Sequence, residues 1–388
     1  MSGSPLTTAL ADRLARAQKA TAEREFDALL LTPGADLRYL TGYAAMPLER
    51  LTCLVLPAVG DPVLVVPLLE RPAALASPVG DLGLPVRAWT ETDDPFALVA
   101  GLAGAAGTGA APRRVAVANR MWAEHLLRLS ARLFGTGLTG TGLPGAALAV
   151  AGEVLRDLRI VKDPEEVAGL RRAGAAIDRV HARMGEWLRP GRTEAEVGRD
   201  IAHGITAEGH EVSNFTIVGS GPNGASPHHH VSDRVIEPGD VVVVDIGGIM
   251  PDGYCSDSTR TYVAGGEPPA EVVAYYRVLR QAQEAAVAAV RPGVPAERVD
   301  AAARDPIAAA GYGELFVHRT GHGIGLEEHE EPWIVAGNAE PLAAGMAFSV
   351  EPGIYLPGRH GARIEDIVVC TEDGVERLNA SPRDLVVL

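Results

Sequence analysis

The sequence VVVVDIGGIMPDGYCSDSTRTYV, residues 241–263, combines a β-branched run, a turn and two acidic residues. The run before Asp245 is typical of a buried strand, Pro251-Asp252-Gly253 is typical of a turn, and a second strand then carries Asp257. Because the midpoint of Asp245 and Asp257 falls in this turn, at residue 251, we predict a hairpin in which the two carboxylates face each other, with Cβ atoms about 4.5 to 5.5 Å apart. Two facing carboxylates need a cation.

A second acidic pair has the same arrangement further along the chain. Glu351 and Glu365 flank a turn at Pro357-Gly358, which matches their midpoint at residue 358. A lone carboxylate is usually solvated, but four in two apolar hairpins need another explanation, because a buried carboxylate is costly unless it is paired or bound to metal. Neither hairpin contains Lys, and the arginines available as partners are Arg260, Arg359 and Arg363. Metal binding is the better explanation, since four carboxylates balance the charge of two divalent ions.

A further ligand candidate is His322, in the glycine-rich segment 320–325 (TGHGIG). Its flanking glycines let the backbone approach closely and leave the imidazole free to reach inward. This motif alone is weak, because histidines in such loops are often exposed. One imidazole with four carboxylates suits Mn²⁺, with Co²⁺, Zn²⁺ or Fe²⁺ as alternatives.

Length and composition predict a globular protein of two domains. The 388 residues exceed the usual size of one domain, and 47% hydrophobic with 22% charged residues is a globular balance. The first part alternates a helical pattern near residues 6–24 with apolar runs that predict strands at 28–31, 52–57 and 63–66, so we expect an α/β domain over residues 1–150 and a second domain over 151–388. In the second part, Asp163 before Pro164 and the pair of Thr193 and Glu196 predict two helix starts. A Gly/Ala-rich surface loop at 101–112 and a Gly/Thr/Pro-rich segment at 136–145 precede this boundary.

Charge and cysteine content exclude several classes of protein. The formal net charge of -15 argues against a nucleic-acid partner, which needs a basic face. Cys53, Cys255 and Cys370 are too few and too far apart for a disulfide framework or a thiolate zinc site. No secretory or membrane-spanning pattern is recognisable, so we expect no membrane association and a cytoplasmic location.

The second part of the chain contains an internal repeat. Four features recur at an offset of 102 residues (291 − 189): the triplet 189–191 (RPG), Val197, Ile205 and Gly209. Further on the offset becomes 106 residues (351 − 245), which matches Asp245 with Glu351. We interpret this pattern as a duplicated unit in which two acidic residues occupy matching positions.

Several of these segments resemble the creatinase, aminopeptidase P, prolidase and methionine aminopeptidase superfamily. The similar motifs, in the family's order, are VVVVDIGG, GYCSDSTRTY, HRTGHGIGLEEHEEP, FSVEPGIY and ARIEDIVV. The resemblance implies an α+β fold, with a C-terminal pita-bread (creatinase-like) domain that has an internal pseudo-twofold repeat and a smaller α/β creatinase-type N-terminal domain. The segment 38–42 (RYLTG) resembles the N-terminal domain of the prolidase and aminopeptidase P branch, which methionine aminopeptidases lack.

The resemblance also implies roles for individual residues. Five ligands of two divalent metal ions are implied: Asp245, Asp257, His322, Glu351 and Glu365. Glu351 would also move the proton of the attacking water, while His228 and His329 would contact the substrate and stabilise the oxyanion. Arg363 and Thr259 are expected to orient the ligands rather than to react.

One departure from the prolidase pattern concerns the substrate. Prolidases often place an arginine between the second histidine and the first glutamate, where it holds the free carboxylate of the departing proline. Residues 330–350 contain no Arg or Lys, and Trp333 stands there instead. Alternative sources of the charge are Arg38, Arg50 and Arg359. Tyr254 and Trp333 either shape the pocket or simply pack.

The resemblance implies, first, an Xaa-Pro dipeptidase (prolidase-like) enzyme that hydrolyses proline-containing dipeptides. An Xaa-Pro aminopeptidase acting on longer peptides is the alternative. A metal-free binding module of the same fold would lack ligands, whereas all five are present, and a non-peptide hydrolase or lyase on the same site stays open. A homodimer is expected from the resemblance alone.

Overall fold

The computed structural model describes residues 4–104, 112–135 and 147–388. The chain divides into two compact units, Met1–Arg159 and Ile160–Leu388. This division lies nine residues after the expected boundary at residue 150 (159 − 150), because the helix Gly152–Arg159 belongs to the first unit. Most of the predicted loop at 101–112 and the predicted boundary segment at 136–145 lie outside the described residues.

The first unit has an α/β structure. Its elements are α1 (Pro5–Glu23), β1 (Ala28–Leu31), α2 (Ala35–Thr41), β2 (Cys53–Pro57), β3 (Val63–Pro67), α3 (Arg71–Ala76), α4 (Pro78–Leu82), β4 (Val86–Trp89), α5 (Pro95–Ala103), β5 (Arg114–Val117), α6 (Ala123–Phe134), β6 (Ala147–Val150) and α7 (Gly152–Arg159). The described strands form a six-stranded sheet in the order β4-β3-β2-β1-β5-β6. Strand β1 is antiparallel to β2 and parallel to β5.

The apolar strand sequences explain why this sheet is buried. All residues of β1 (ALLL) and β2 (CLVLP) are buried, as expected for strands covered on both faces. The predicted strands at 28–31, 52–57 and 63–66 are confirmed, with ends that differ by at most one residue. The predicted first helix is α1, which begins after Ser4, whose Oγ accepts a hydrogen bond from the Thr7 N–H at 3.2 Å.

The second unit combines helices with antiparallel strands. Its elements are α8 (Pro164–Ala182), α9 (Met184–Trp187), α10 (Glu194–Ala207), β7 (Val212–Ser220), β8 (Asp240–Ile249), β9 (Cys255–Ala264), α11 (Ala270–Ala289), α12 (Ala296–Ala309), β10 (Gly321–Gly323), β11 (Glu330–Ile334), β12 (Ala347–Val350), β13 (Gly353–Leu356), β14 (His360–Arg363), β15 (Asp366–Cys370), β16 (Val375–Arg377) and β17 (Val386–Val387). Their sheet orders are β17-β9-β8-β7, β11-β10-β12-β15-β16 and β13-β14. Short 3-10 turns span Leu68–Glu70, Gly221–Ala225 and Gly313–Leu315.

Two predicted helix starts are confirmed. At α8, Asp163 Oδ1 accepts from the Glu166 N–H at 2.9 Å, and the Glu166 carboxylate accepts from the Asp163 N–H at 3.0 Å. Thr193 and Glu196 form the same reciprocal pair at the start of α10. These bonds satisfy backbone N–H groups that the first turn of a helix leaves unpaired.

The internal repeat corresponds to matching elements. Helices α10 and α12 begin and end 102 residues apart (296 − 194 and 309 − 207), and α8 and α11 begin 106 residues apart (270 − 164). Gly191 and Gly293, in the turns that precede α10 and α12, have φ values of 87° and 83°, which glycine adopts readily. The helices and turns of the two halves therefore repeat as the sequence predicts.

The first acidic hairpin forms, but the predicted register is wrong by two residues. Asp245 pairs with Thr259, and Asp257 pairs with Gly247. The loop is centred on residue 252 rather than 251, and Gly253 within it has a φ of 97°. Because Asp257 lies opposite a residue two positions from Asp245, the two acids are diagonal neighbours on one face of the sheet.

The second acidic hairpin has the predicted centre. Strand β12 pairs with β15 and β13 with β14, and both registers are centred on residue 358. Glu351 and Glu365 lie in the interruption between these two pairings. At the 106-residue offset, the continuous strands β8 and β9 correspond to the broken pairs β12/β13 and β14/β15. The second half of the repeat therefore places its acids where its strands are interrupted.

Candidate metal centre

The five predicted ligands come from five segments of the second unit. Asp245 lies in β8, Asp257 in β9 and His322 in β10, whereas Glu351 follows β12 and Glu365 precedes β15. Among the described residues, three overlapping groups have their ligand atoms within 4.8 Å of one another: Asp245, Asp257 and Glu365; His322, Glu351 and Glu365; Asp257, His322 and His329. The fold thus brings all five side chains together.

The carboxylates of this cluster are buried beside one another. The exposed fractions of Asp257 and Glu365 are 4% and 2%. Burial, together with neighbouring carboxylates, raises the pKa of each well above its usual value. Arg363 compensates part of the negative charge by pairing with Asp245 at 2.5 Å. An oxygen-rich buried set with one imidazole and excess negative charge fits divalent ions such as Mn²⁺.

His322 is oriented by its backbone surroundings. Its Nδ1 lies 3.1 Å from the Gly323 carbonyl, and its backbone N–H donates to Ser349 Oγ at 3.0 Å. With Nδ1–H donating to that carbonyl, Nε2 faces the acids, 3.2 Å from Glu351 Oε1 and 3.7 Å from Asp257 Oδ2. A ligating imidazole is usually held in this way. Burial raises the pKa of Glu351, but in the absence of metal a His322 ring with a second proton, on Nε2, donates to Glu351, and this hydrogen bond and charge outweigh burial and lower the pKa to about 2.

The glycines around His322 are required by close strand packing. A Cβ atom on Gly321 would lie 1.8 Å from the Ser349 carbonyl oxygen, and one on Gly323 would lie 2.2 Å from the Glu331 carbonyl oxygen. Both distances are far below van der Waals contact. The expected role of these glycines, close approach of the backbone, therefore agrees with the packing.

Thr259 and Arg363 join two of the acids. Thr259 Oγ1 lies 2.8 Å from both Asp245 Oδ1 and Glu365 Oε2, and it accepts a hydrogen bond from Arg363 Nε at 2.9 Å. Arg363 Nη2 donates to Asp245 Oδ2. These contacts fix the direction of the carboxylates, and the role of both residues in orienting metal ligands stays a prediction.

A tyrosine and a histidine absent from the sequence predictions extend this network. Tyr355 Oη accepts from Arg363 Nη1 at 2.8 Å and lies 2.8 Å from His318 Nε2. Burial raises the pKa of Tyr355 to about 12, so the phenol stays protonated and its O–H can donate a hydrogen bond to His318 Nε2. The available sequence signal was their position inside the motifs FSVEPGIY and HRTGHGIGLEEHEEP.

His228 and His329 lie on the open side of the cluster. Both line the same cavity as the five ligands, and both keep an exposed edge. The rings of His329 and His322 are nearly perpendicular, with centroids 4.0 Å apart. Partial burial, followed by the charges of His322 and Arg319, lowers the pKa of His329 to about 4. At neutral pH this imidazole is uncharged and can still donate one hydrogen bond.

A buried glutamate, also absent from the sequence predictions, holds the loop that carries His228. Glu194 is the first residue of α10 and has an exposed fraction of 0%. Its carboxylate accepts hydrogen bonds from Ser220, Asn223, His229 and Ser232. Burial raises the pKa of Glu194, but these bonds outweigh it and lower the pKa overall. No local pattern signals this role, because the partners lie 26 to 38 residues away.

The cavity has a volume of about 640 Å³ and mixed chemistry. Apolar side chains on its wall are Phe215, Ile217 and Pro227, and charged ones beyond the ligands include Arg319 and Glu328. An apolar wall beside a charged centre suits a small substrate that has both apolar and charged parts.

Other residues considered for the pocket have different roles. The Tyr254 hydroxyl donates to Glu166 at 3.0 Å, and its ring packs against Gly169, so Tyr254 is part of the protein interior. Trp333 lies beneath Arg319, with the guanidinium carbon 4.3 Å from its ring centroid. Arg359 is exposed and pairs with Glu271, away from the cavity wall.

Comparison with known proteins covers both units. Residues 13–161 match the creatinase/prolidase N-terminal domain, and residues 168–372 match metallopeptidase family M24. The chain belongs to family M24. A probable dipeptidase PepE of Mycobacterium tuberculosis is 55% identical over 378 residues, 97% of this chain and 96% of that protein. An Xaa-Pro dipeptidase of Lactobacillus helveticus is 37% identical over 356 residues, 91% of this chain and 92% of that protein.

A solved structure agrees with this family assignment. The crystal structure of dipeptidase PepE from Mycobacterium ulcerans has a TM-score of 0.89 and 55% sequence identity, and the match covers 98% of each chain. The M24 protein described here is therefore a peptidase with the predicted creatinase-like, two-domain fold. Within the part of the chain that the structure describes, no helix combines the length and apolar character needed to cross a membrane.

Proposed function

We propose that this M24 peptidase is an Xaa-Pro dipeptidase that depends on two divalent metal ions, with Mn²⁺ as the expected metal. The observation that carries the proposal is the convergence of four carboxylates and His322 on one cavity that also has an apolar wall. The Xaa-Pro dipeptidase of Lactobacillus helveticus, 37% identical, supports proline-containing peptides as substrates.

The chain's own groups divide the work of peptide hydrolysis. When bound, two divalent ions would supply an activated water and polarise the scissile carbonyl. Asp245, Asp257, His322, Glu351 and Glu365 would hold them. Glu351, whose carboxylate lies 3.2 Å from the His322 ring in the same cluster, would take a proton from the attacking water and pass it to the departing nitrogen. His228 and His329, at the open side, would donate hydrogen bonds to the substrate and to the oxyanion.

The second candidate is an Xaa-Pro aminopeptidase that acts on longer peptides. The observation in its favour is the absence of Arg and Lys from residues 330–350, where prolidase-like chains often have an arginine for the free carboxylate. A dipeptidase must recognise that carboxylate, whereas an aminopeptidase must leave space for the peptide to continue.

The test is hydrolysis of an Xaa-Pro dipeptide and an Xaa-Pro-Xaa tripeptide by metal-stripped protein, with and without added Mn²⁺. We expect metal-dependent cleavage, with preference for the dipeptide. Preference for the tripeptide would favour the aminopeptidase. If metal binds but neither peptide is cleaved, both proposals fail and a non-peptide substrate has to be considered. The homodimer and the cytoplasmic location stay predictions, which sedimentation and cell fractionation would test.

A further inference from the structure

Arg319 is a half-buried cation in the wall of the cavity. Its backbone is fixed on both sides. His318 Nδ1–H donates to the Arg319 carbonyl at 2.8 Å, and the Thr320 hydroxyl donates to Asp300 at 2.7 Å. The guanidinium lies over the ring of Trp333, 4.3 Å from its centroid. Stacking on an aromatic face therefore holds the planar group at the cavity wall.

The guanidinium of Arg319 makes no hydrogen bond or ion pair within residues 4–104, 112–135 and 147–388. Arg363, the other arginine of the cavity wall, instead uses its nitrogens on Asp245, Thr259 and Tyr355. Burial lowers the pKa of Arg319, and the charge of Glu351 offsets this effect only in part. Among the described residues of the wall, Arg319 is thus the arginine still available to a ligand.

A free carboxylate is the ligand chemistry that suits this group. A guanidinium presents parallel N–H donors that match the two oxygens of a carboxylate. In an Xaa-Pro dipeptide the C-terminal carboxylate follows the scissile carbonyl by one residue, about 3.3 to 3.6 Å of extended chain. Trp333, on which Arg319 rests, is the cross-strand partner of the ligand candidate His322. Arg319 therefore rests on the neighbour of a ligand candidate and lines the same cavity as the metal centre, where such a carboxylate would lie.

We propose that Arg319, stacked on Trp333, binds the C-terminal carboxylate of the dipeptide and thereby selects dipeptides over longer peptides. This inference rests on the proposed function. The cation that binds the carboxylate then precedes the ligand candidate His322 in sequence, and Trp333 supports the guanidinium of this cation.

The experiment uses the Mn²⁺-loaded protein and two substrates, alanyl-proline and alanyl-prolinamide, which differ in the terminal carboxylate. For Arg319→Gln we expect kcat/KM on alanyl-proline to fall on the order of 10- to 100-fold, mostly through KM, because charge-assisted hydrogen bonds are lost. Activity on alanyl-prolinamide should be unchanged, which also shows that the variant is folded and metal-loaded. Arg319→Lys, which keeps the charge but not the fork, should lose less.

Two further variants and one binding measurement sharpen the test. Trp333→Leu removes the aromatic support and should raise KM for alanyl-proline selectively. Arg171→Gln, an exposed arginine paired with Glu376, should leave both substrates unaffected. Free proline should inhibit the wild-type protein more strongly than prolinamide does, and Arg319→Gln should remove this difference.

Several results would overturn the assignment. Equal losses on both substrates would mean that Arg319 supports the metal centre in general, and equal activity of wild-type and Arg319→Gln on alanyl-proline would mean that it binds nothing. A wild-type protein that cleaves both substrates equally does not recognise the carboxylate. If the wild-type protein cleaves neither substrate, the proposed function itself has failed, which is a distinguishable result.

Discussion

The hydroxyl group of Thr259 has one proton to donate, but carboxylate oxygens of two acids lie at the same distance from its Oγ1. Asp245 Oδ1 and Glu365 Oε2 each lie 2.8 Å from its Oγ1, which already accepts a hydrogen bond from Arg363. The hydroxyl can donate to only one of the acids. Without metal, the raised pKa of Glu365 lets that acid carry the missing proton. Bound metal ions would take over this compensation, so metal binding is expected to release that proton.

The corresponding prediction is a loss of metal affinity in Thr259→Val. Valine keeps the shape of threonine but removes the hydroxyl, so Arg363 Nε and one carboxylate lose their partner. We expect Mn²⁺ to bind on the order of 10- to 100-fold more weakly, as is typical when a group that orients a ligand is removed. Calorimetric titration of metal-stripped protein measures this, and Thr259→Ser should bind like the wild type. Equal affinities of the valine and serine variants would contradict the orienting role.

His181 gives a pH prediction at the same scale. Burial, and then the charge of Arg260, lowers its pKa from 6.5 to about 3, while the ring hydrogen-bonds to Tyr262 and to the Ser258 carbonyl. The unfolded chain takes up this proton near pH 6.5 and the folded protein does not. The contribution of His181 to the free energy of unfolding is therefore complete above pH 6.5 and falls by up to about 1.4 kcal/mol per pH unit between 6.5 and 3.

Urea unfolding at neutral pH and one to two pH units lower tests this contribution. We expect His181→Gln to lose less stability on acidification than the wild type does, because glutamine does not titrate. Tyr262→Phe is the control: it removes a hydrogen bond but keeps the burial, so the pH dependence should persist. Parallel pH profiles for wild type and His181→Gln would show that the depressed pKa is absent.

At the scale of elements, hydrogen bonds between residues close in sequence were predictable, whereas the register of strand pairing was not. The cap of α8 by Asp163 and the capping pair of Thr193 and Glu196 at α10 depend on residues at most three apart, so the sequence alone predicts them. The register of β8 and β9 depends on the shape of the turn, and the midpoint of the two acids gave a centre one residue too early. Glu194 was missed because its hydrogen-bond partners come from the following strand and loop, which only the folded chain brings to it.

Glu194 also gives the prediction that belongs to this scale. In Glu194→Gln, an amide replaces one acceptor oxygen and faces the N–H and O–H donors of the His228 loop, so several hydrogen bonds are lost. We expect faster hydrogen exchange over residues 220–232. We also expect kcat/KM for the dipeptide to fall about 10- to 100-fold, because His228 is displaced.

The control for this variant is Glu208→Gln. Glu208 follows the same helix at its other end and pairs with Arg179, away from the His228 loop. It should leave both exchange in the loop and turnover unchanged. Normal exchange at 220–232 in Glu194→Gln would mean that the loop is held by other contacts.

At the scale of the whole molecule, the repeat explains why the second half supplies an arginine, Arg363, to the cluster of acids. At the 106-residue offset Asp245 corresponds to Glu351, and Thr259 corresponds to Glu365. Asp257 then corresponds to Arg363 (363 − 257 = 106), so a ligand candidate in one half matches the arginine that neutralises Asp245 in the other. The sequence predicted one matching acidic pair, but the second correspondence requires the observed register of β8 and β9. The two halves are therefore complementary rather than identical.

The cluster that the two halves form has more negative than positive charge. We therefore predict that Asp257→Asn changes the free energy of unfolding in opposite directions with and without metal. Burial and four neighbouring carboxylates raise the pKa of Asp257, so its ionised form destabilises the folded protein above the pKa of the unfolded chain. In metal-stripped protein at neutral pH, the substitution should raise the free energy of unfolding. In the presence of Mn²⁺, the same substitution should lower the free energy of unfolding, because a ligand of the metal is lost. Metal at a concentration of 100 times Kd stabilises the folded protein by about 2.7 kcal/mol per site.

Urea unfolding of both proteins, in chelator and in excess Mn²⁺, gives the four values needed. Asp252→Asn is the matched control, since Asp252 lies in the turn of the same hairpin but pairs with the exposed Arg172. It should have the same effect in both conditions. If Asp257→Asn destabilises the stripped protein as well, the cluster is already neutralised by the chain's own groups and does not need metal. A change of sign that is specific to Asp257 would instead mean that the unpaired charge of this centre is balanced by the ions it binds.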